Sequence, residues 1–343
     1  MGERANVTLQ GRHKGGVTRV LAVGDDVYSA GCDGRICRSS AGQPAKELLR
    51  FERIHVFPKE PLSQPFAAWF DIADGVLACA MKHGVVRLFE AASGESGRTF
   101  KNPPVGSAYA LDFDSIAFNP ANPHEVAASN GRYVNVWNSK TGKLLWQDTQ
   151  SSRANGVGFC RDGQYLLIQE WDPLVRVIHW PNPTLAPFRF AMVQSSLNLV
   201  ALRPCRNAAH FDFAVSAVDA DGAFILAMKL EREKPIFKGK TTQRIHDLDI
   251  FADGRHILTG GDDGILRIFD SRSKKVRDID LTQSEVVASL STDEAPSGPG
   301  VLCTKEVDDE YYGPHAIHAV AMGPSDAWAA VGLVGGLVLR VDL

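Results

Sequence analysis

The chain has 343 residues, 44% of them hydrophobic, with 37 basic and 40 acidic side chains for a net charge of −3. That is enough apolar material for one large core or two, and the near balance of charge leaves no field to draw the molecule onto nucleic acid or anionic lipid. No segment reaches the ~18 uninterrupted apolar residues of a membrane span, and the opening MGERANVTLQGRHKGG lacks the apolar run of a secretory signal. No membrane insertion is therefore expected, and the cytoplasm, or alternatively the nucleus, is the expected location.

Asn6 stands where a myristoylation signal requires Ser or Thr, so lipidation is discounted. Residues 6–10, Asn-Val-Thr-Leu-Gln, read as a first short strand. A phrase then recurs with a spacing of roughly 40 to 45 residues, the period at which propeller blades repeat. Each copy is an apolar strand, a tight turn, a second alternating strand and a closing turn. The copies are VYSAGCDGRICRSS (27–40), VLACAMKHGVVRLFEAASG (76–94), EVAASNGRYVNVWNSKTGK (125–143), YLLIQEWDPLVRVIHW (165–180) and FAVSAVDADGAFILAMKL (213–230). HILTGGDDGILRIFDSRSKK (256–275), the clearest, and AWAAVGLVGGLVLRVDL (327–343) complete the set. Short apolar strands precede most copies, such as SIAFNPANP (115–123) and LDIFADG (248–254), and others follow, such as LLWQD (144–148). Four strands per unit is the content of a propeller blade. The fold class expected is all-β: one seven-bladed propeller over 1–343, four antiparallel strands per blade. Two longer connections interrupt the repeat, at about 51–65 and 285–315.

These repeats resemble the WD-repeat family along essentially the whole chain. Val136-Trp137-Asn138 and Ile268-Phe269-Asp270 stand where that family closes its third strand with Trp-Asp, and Asp162-Gly163 and Asp253-Gly254 stand in its turn after the first strand. The resemblance implies a buried polar network in the first blade made by His13, Ser29 and Asp33, with Ser39 at the Trp position. Thr259 and Asp263 hold half of the set in the sixth blade, and Asp172 and Asp221 hold the turn position in the fourth and fifth. His83, Gly131 and Gly335 replace it elsewhere, which marks a divergent member. The last copy stops at Val341-Asp342-Leu343, leaving no residues for an outer strand, so the N-terminal strand is expected to complete the seventh blade and remove two open sheet edges.

Reactive chemistry is sparse. The six cysteines lie far apart and are expected to be free and mostly buried. His315 and His318 form the closest histidine pair, but adjacent strand positions point in different directions, which favours a surface role over metal ligation. The pairs Asp25-Asp26, Asp219/Asp221 and Asp262-Asp263 fall in turns, where carboxylates serve the backbone. No Gly-x-Ser-x-Gly, phosphate-binding loop or Cys-x-x-Cys occurs. No cofactor, metal or catalytic residue is assigned. The basic stretch 229–244 reads as a charged edge strand. Phe66, Trp69, Phe70, Tyr109 and Trp171 stand near blade starts, where core packing accounts for most of them. In the 285–315 connection, Glu306, Asp308, Asp309, Tyr311 and Tyr312 form an acidic and aromatic run suited to a basic partner, with a merely mobile insertion as the alternative.

The expected function is a non-catalytic scaffold or adaptor that binds other proteins as a subunit of a hetero-complex. Ile268-Phe269-Asp270-Ser271-Arg272 also resembles the Trp-Asp-x-Arg motif of substrate receptors in cullin-based ubiquitin ligases, with Phe269 in place of Trp and Arg272 as the candidate contact. An enzyme with a site at the propeller channel is the remaining, less favoured alternative.

Overall fold

The computed structural model describes residues 5–41, 43–51, 69–81, 85–101, 113–130, 133–149, 154–170, 174–183, 188–191, 198–205, 210–219, 222–232, 234–288 and 314–343. The chain opens with β1 (Val7–Arg12). The first blade is β2 (Val17–Val23), β3 (Asp26–Gly31), β4 (Arg35–Ser39) and β5 (Lys46–Arg50), and the second β6 (Trp69–Ala73), β7 (Val76–Met81), β8 (Val85–Glu90) and β9 (Ser96–Lys101). The third is β10 (Phe113–Asn119), β11 (Asn122–Asn130), β12 (Tyr133–Asn138) and β13 (Leu144–Thr149), and the fourth β14 (Ala154–Cys160), β15 (Tyr165–Glu170), β16 (Leu174–His179) and β17 (Phe188–Ala191). The fifth is β18 (Asn198–Pro204), β19 (Phe213–Asp219), β20 (Gly222–Met228) and β21 (Phe237–Thr241), and the sixth β22 (Ile245–Ile250), β23 (His256–Gly261), β24 (Ile265–Asp270) and β25 (Val276–Asp280). The seventh holds β26 (Ile317–Met322), β27 (Trp328–Leu333) and β28 (Leu337–Asp342), with β1 as its outer strand. These are the seven antiparallel four-stranded sheets of a β-propeller.

The expected closure of the last blade is present. β1 runs antiparallel to β28 from Val7 opposite Val341 to Arg12 opposite Leu337. Beyond the ladder, the Asn6 amide donates to Asp342 Oδ2 at 2.9 Å and the Asp342 N–H donates to the Asn6 carbonyl at 3.0 Å. Backbone groups that would form an open edge on β28 are thereby paired.

The chain divides into two compact units, one of residues 1–68, 243–252 and 256–343, the other of 69–242 and 253–255. Within each unit the core lies between successive sheets. The middle strands are buried on both faces, as β19 and β27 show, and so carry nearly continuous apolar runs, whereas the outer β9 and β25 are mostly exposed and polar. In the first unit Leu258, Leu266 and Ile268 of the sixth blade pack with Val320, Val331 and Leu339 of the seventh, and Val17, Val20 and Val27 of the first pack with Trp328 and Val338. In the second unit Trp137, closing β12, stacks on Phe100 of β9 with ring centroids 6.0 Å apart. Each such buried side chain contributes about 1.5–3 kcal/mol.

Inner strands have no sheet neighbour on one edge, and carboxylates from the preceding blade serve some of their N–H groups. Asp71 of β6 accepts from Phe118 N in β10 at 2.7 Å. Asp247 and Asp249 of β22 accept from Val320 N and Met322 N in β26 at 3.1 and 2.8 Å. A one-residue bulge recurs near the start of β2, β10, β14, β18, β22 and β26.

Cys37, Cys79, Cys160 and Cys205 are free and buried, as expected. Cys32 corrects that expectation: it is disulfide-bonded. Separation along the chain is no guide to which thiols a fold brings together.

Candidate functional site

In the first blade His13, just after β1, lies over the hairpin of β3 and β4. Its Nδ1 donates to Asp33 Oδ1 at 2.9 Å, and its Nε2 lies 2.9 Å from Ser29 Oγ, whose hydroxyl donates to it in the neutral imidazole. Lys14 N donates to Asp33 Oδ2 at 2.7 Å, and Arg35 donates through its backbone N–H at 3.2 Å and its Nε at 2.7 Å. Burial by itself would raise the Asp33 carboxyl, but the bonds from His13 and Arg35 outweigh it and hold the group far below the usual carboxylate range. Arg35 is a partner that the family resemblance did not supply. Ser39, at the Trp position, buries a hydroxyl that makes no hydrogen bond among the described residues.

Carboxylate, imidazole and serine hydroxyl in line have the connectivity of a nucleophilic triad. The surroundings close it to substrate. Ser29 is 1% exposed and His13 6%, and a Cβ on Gly31 would meet the His13 ring at 2.5 Å, so the imidazole is packed directly on backbone. The bonds hold the loop before the blade onto its hairpin and leave no room for a reacting carbonyl.

The sixth blade arranges its residues differently. Asp263 takes Arg267 Nη2 at 2.6 Å and Nη1 at 3.2 Å and accepts from Ile265 N at 3.2 Å. Thr259 is buried mid-strand in β23, opposite Leu248 and Arg267. His246, at the bulge of β22, donates to Asp262. The His318 ring lies tilted against that of His246, a pairing that no spacing rule suggests.

Arg272 occupies the turn between β24 and β25. Asp270, 8% exposed, accepts from Arg272 N at 2.9 Å, from Ser273 N at 3.1 Å and from Ser273 Oγ at 2.5 Å, so the turn is fixed from beneath and the Arg272 side chain is left exposed. In the basic stretch of the fifth blade, Lys238 Nζ lies 3.8 Å and Lys240 Nζ 5.7 Å from the centre of the Phe224 ring, their stems covering the core face while the charges reach water.

At the fourth and fifth blades a buried charge cluster appears that sequence reading passed over. Asp212 is fully buried and accepts from Arg161 Nε at 2.5 Å, Arg161 Nη2 at 2.9 Å and Leu230 N at 2.7 Å. Arg161 also pairs with Glu231. Its residues are 51 and 70 apart, with no motif to join them.

Phe70 is fully buried and Trp69 36% exposed at the start of β6. Glu306, Asp308, Asp309, Tyr311 and Tyr312 lie outside the described residues, as do His83, Gly131, Asp172, Asp221, Phe66, Tyr109, Trp171 and most of the 51–65 connection. Among the described residues no three His, Cys, Asp or Glu side chains converge as a metal-binding group, and no helix is long and apolar enough to cross a membrane.

Residues 232–270 match the family model for the WD domain, G-beta repeat. The match runs from just before β21, the outer strand of the fifth blade, through β24 of the sixth. The sequence repeat is thus offset from the blade by one strand, the same offset that places β1 in the seventh blade. No curated protein matches the chain by sequence. Among solved structures, one of RRP9 WD40 repeats aligns with a TM-score of 0.71 at 14% identity over 98% of this chain and 97% of that one. A structure of U3-55K aligns with a TM-score of 0.71 at 13% identity over 98% of both chains. With seven four-stranded sheets and an N-terminal strand in the last of them, the chain folds as a seven-bladed β-propeller that carries a match to the WD repeat at 232–270.

Proposed function

We propose that the protein is a non-catalytic interaction scaffold, a single propeller domain that holds other proteins as a subunit of a larger assembly. The observation that carries this reading is where the polar chemistry goes. Asp33, Asp212 and Asp270 are each consumed by internal donors that fix loops and turns, so the groups presented outward sit on rigid turns of a rigid fold. Such preorganised surfaces lose little entropy on binding. The acidic and aromatic run of Glu306, Asp308, Asp309, Tyr311 and Tyr312 is proposed as a contact for a basic partner. Size-exclusion of native lysate followed by affinity purification tests the reading, with and without residues 289–312. A high-mass assembly with co-purifying proteins is expected; a lone monomer without partners would sink it.

One observation favours a narrower reading, a substrate receptor of a cullin-based ubiquitin ligase. Asp270 anchors its turn so that Arg272 projects from it, the presentation that a Trp-Asp-x-Arg contact needs. Association with the ligase adaptor in the wild type, lost on Arg272→Ala with the fold intact, is the expected result. Absence of any association removes this reading while leaving the scaffold untouched.

A further inference from the structure

The inner strands of three blades in the first unit, β22, β26 and β2, share the bulge near their start, at His246, His318 and Thr18. A bulge takes its residue out of the ladder and re-aims the side chain. Two imidazoles from different blades meet as a result, with ring centroids 5.4 Å apart and planes tilted by 42°. One N–H fixes each ring. His246 Nε2 donates to the Asp262 carboxylate in the turn between β23 and β24. His318 Nδ1 donates to the Val17 carbonyl of β2 at 3.1 Å. His318 therefore ties the seventh blade to the first while its face rests on the sixth.

The charged groups around His318 come from the sixth blade: His246, Asp247 and Arg244. Both nearby carboxylates have other work. Asp262 holds His246, and Asp247 accepts from Leu248 N at 2.9 Å and Val320 N at 3.1 Å. A proton on His318 would stand against a second imidazole and a guanidinium. Loss of solvation first, then His246, pushes its pKa down to about 4, with the Val17 carbonyl and Asp247 opposing only part of the fall.

We propose that the His246–His318 pair is an acid-sensitive latch, in which protonation of His318 unseats β26 from β2 and loosens the seventh blade from the first. The sign follows from proton linkage. Unfolded or unlatched, the histidine takes up its proton near pH 6.5; latched, it does so only near pH 4. Acid therefore favours the unlatched state progressively from pH 6.5 down to 4, and above 6.5 His318 adds no pH dependence. The load falls on the blade that holds both β1 and β28, so the seam that acid weakens is the one joining the chain's first and last strands to the rest of their unit.

Thermal melting of the full chain and of His318→Phe, which keeps an aromatic ring without a titrating nitrogen, is compared between pH 7.5 and 4.5. The wild type is expected to lose melting temperature steeply below pH 6.5 and the variant less than half as much; equal slopes overturn the latch. Hydrogen exchange of the wild type at pH 5 supplies a local readout that a generally fragile fold would not give. Protection is expected to fall first in β26 and β2, and uniform loss over all blades counts against the proposal. If the variant does not fold, an NMR titration of the wild-type imidazoles decides: His318 titrating well below pH 5 supports the latch, and a midpoint near 6.5 overturns it.

Discussion

Asp33 in the first blade and Asp212 in the fifth are both carboxylates drawn out of water and held by an arginine and a backbone N–H, with His13 an additional donor to Asp33. They differ in where the donors come from. Asp33 is served by His13, Lys14 and Arg35, all within about one repeat of it, and its main work is to hold a loop onto its own hairpin. Asp212 is served by Arg161, in the turn after β14 of the neighbouring blade, and by Leu230 N. To reach it the turn holds Arg161, Asp162 and Gly163 all at positive φ, 49°, 49° and 83°. Two non-glycine residues in that region cost about 1–3 kcal/mol each and persist only where the surroundings over-determine them. A local network tunes one blade; the seam cluster holds two blades together.

The comparison predicts unequal losses. Arg161→Ala leaves the Asp212 carboxyl, which has no exposed surface, without its main partner, and should cost about 3–5 kcal/mol in urea unfolding. Restoration of much of that loss by Asp212→Asn in the same chain would show that the cost lies in the uncompensated charge, whereas a single-mutant loss below about 1 kcal/mol would refute the clamp. Asp33→Asn should cost less, about 2–3 kcal/mol at pH 7, because Asp33 keeps some contact with solvent and Asn still accepts hydrogen bonds. Its pH dependence has a definite sign. The folded carboxyl is held below its unfolded value of about 3.9, so the stabilisation is complete above that pH and fades as acid protonates the folded group. Wild type and Asp33→Asn should therefore converge between pH 5 and 2, and a gap that stays constant would contradict the assignment.

The same contrast explains what the sequence made readable. Strands repeat with period 2 inside units that recur, so blade number, strand order and the placement of β1 beside β28 follow from local pattern and the need to remove open edges. His13, Ser29 and Asp33 stand within one repeat, where family spacing applies. Arg161 with Asp212, and His246 with His318, join different repeats; the first pair depends on a turn in an unusual conformation and the second on two bulges, neither of which leaves a compositional trace. The sixth blade shows the limit of spacing even inside a repeat. Thr259 and Asp263 lie at the positions the resemblance names, yet the partner of Asp263 is Arg267, four residues further on, which family spacing does not supply. A guanidinium holds a carboxylate through two parallel bonds, which is the geometry Arg267 gives Asp263.

If local rules govern the repeats, a local departure should have a local remedy, and the turns after the third strands provide the case. In the second and third blades the turn places Gly94 and Gly142 at φ 80° and 78°, each donating its N–H at 2.8 Å to the carbonyl of Glu90 or Asn138. The sixth blade builds the same turn, with Lys274 N donating at 2.8 Å to the Asp270 carbonyl, but with a lysine at φ 58°. Among the described residues the exposed lysine makes no ion pair that would offset a left-handed backbone, which glycine adopts without steric cost. Lys274→Gly should therefore stabilise the protein by about 0.5–1 kcal/mol, the relief of strain exceeding the added freedom of the unfolded chain. The size of the gain separates two accounts of the sixth blade. A gain of that order, with Arg272 still presented, would mean the turn follows the common rule and merely carries an unfavourable residue. A loss would mean the lysine side chain contributes to holding Asp270 and its turn, making this turn an interaction network of its own, closer in kind to the Arg161 seam than to the first blade.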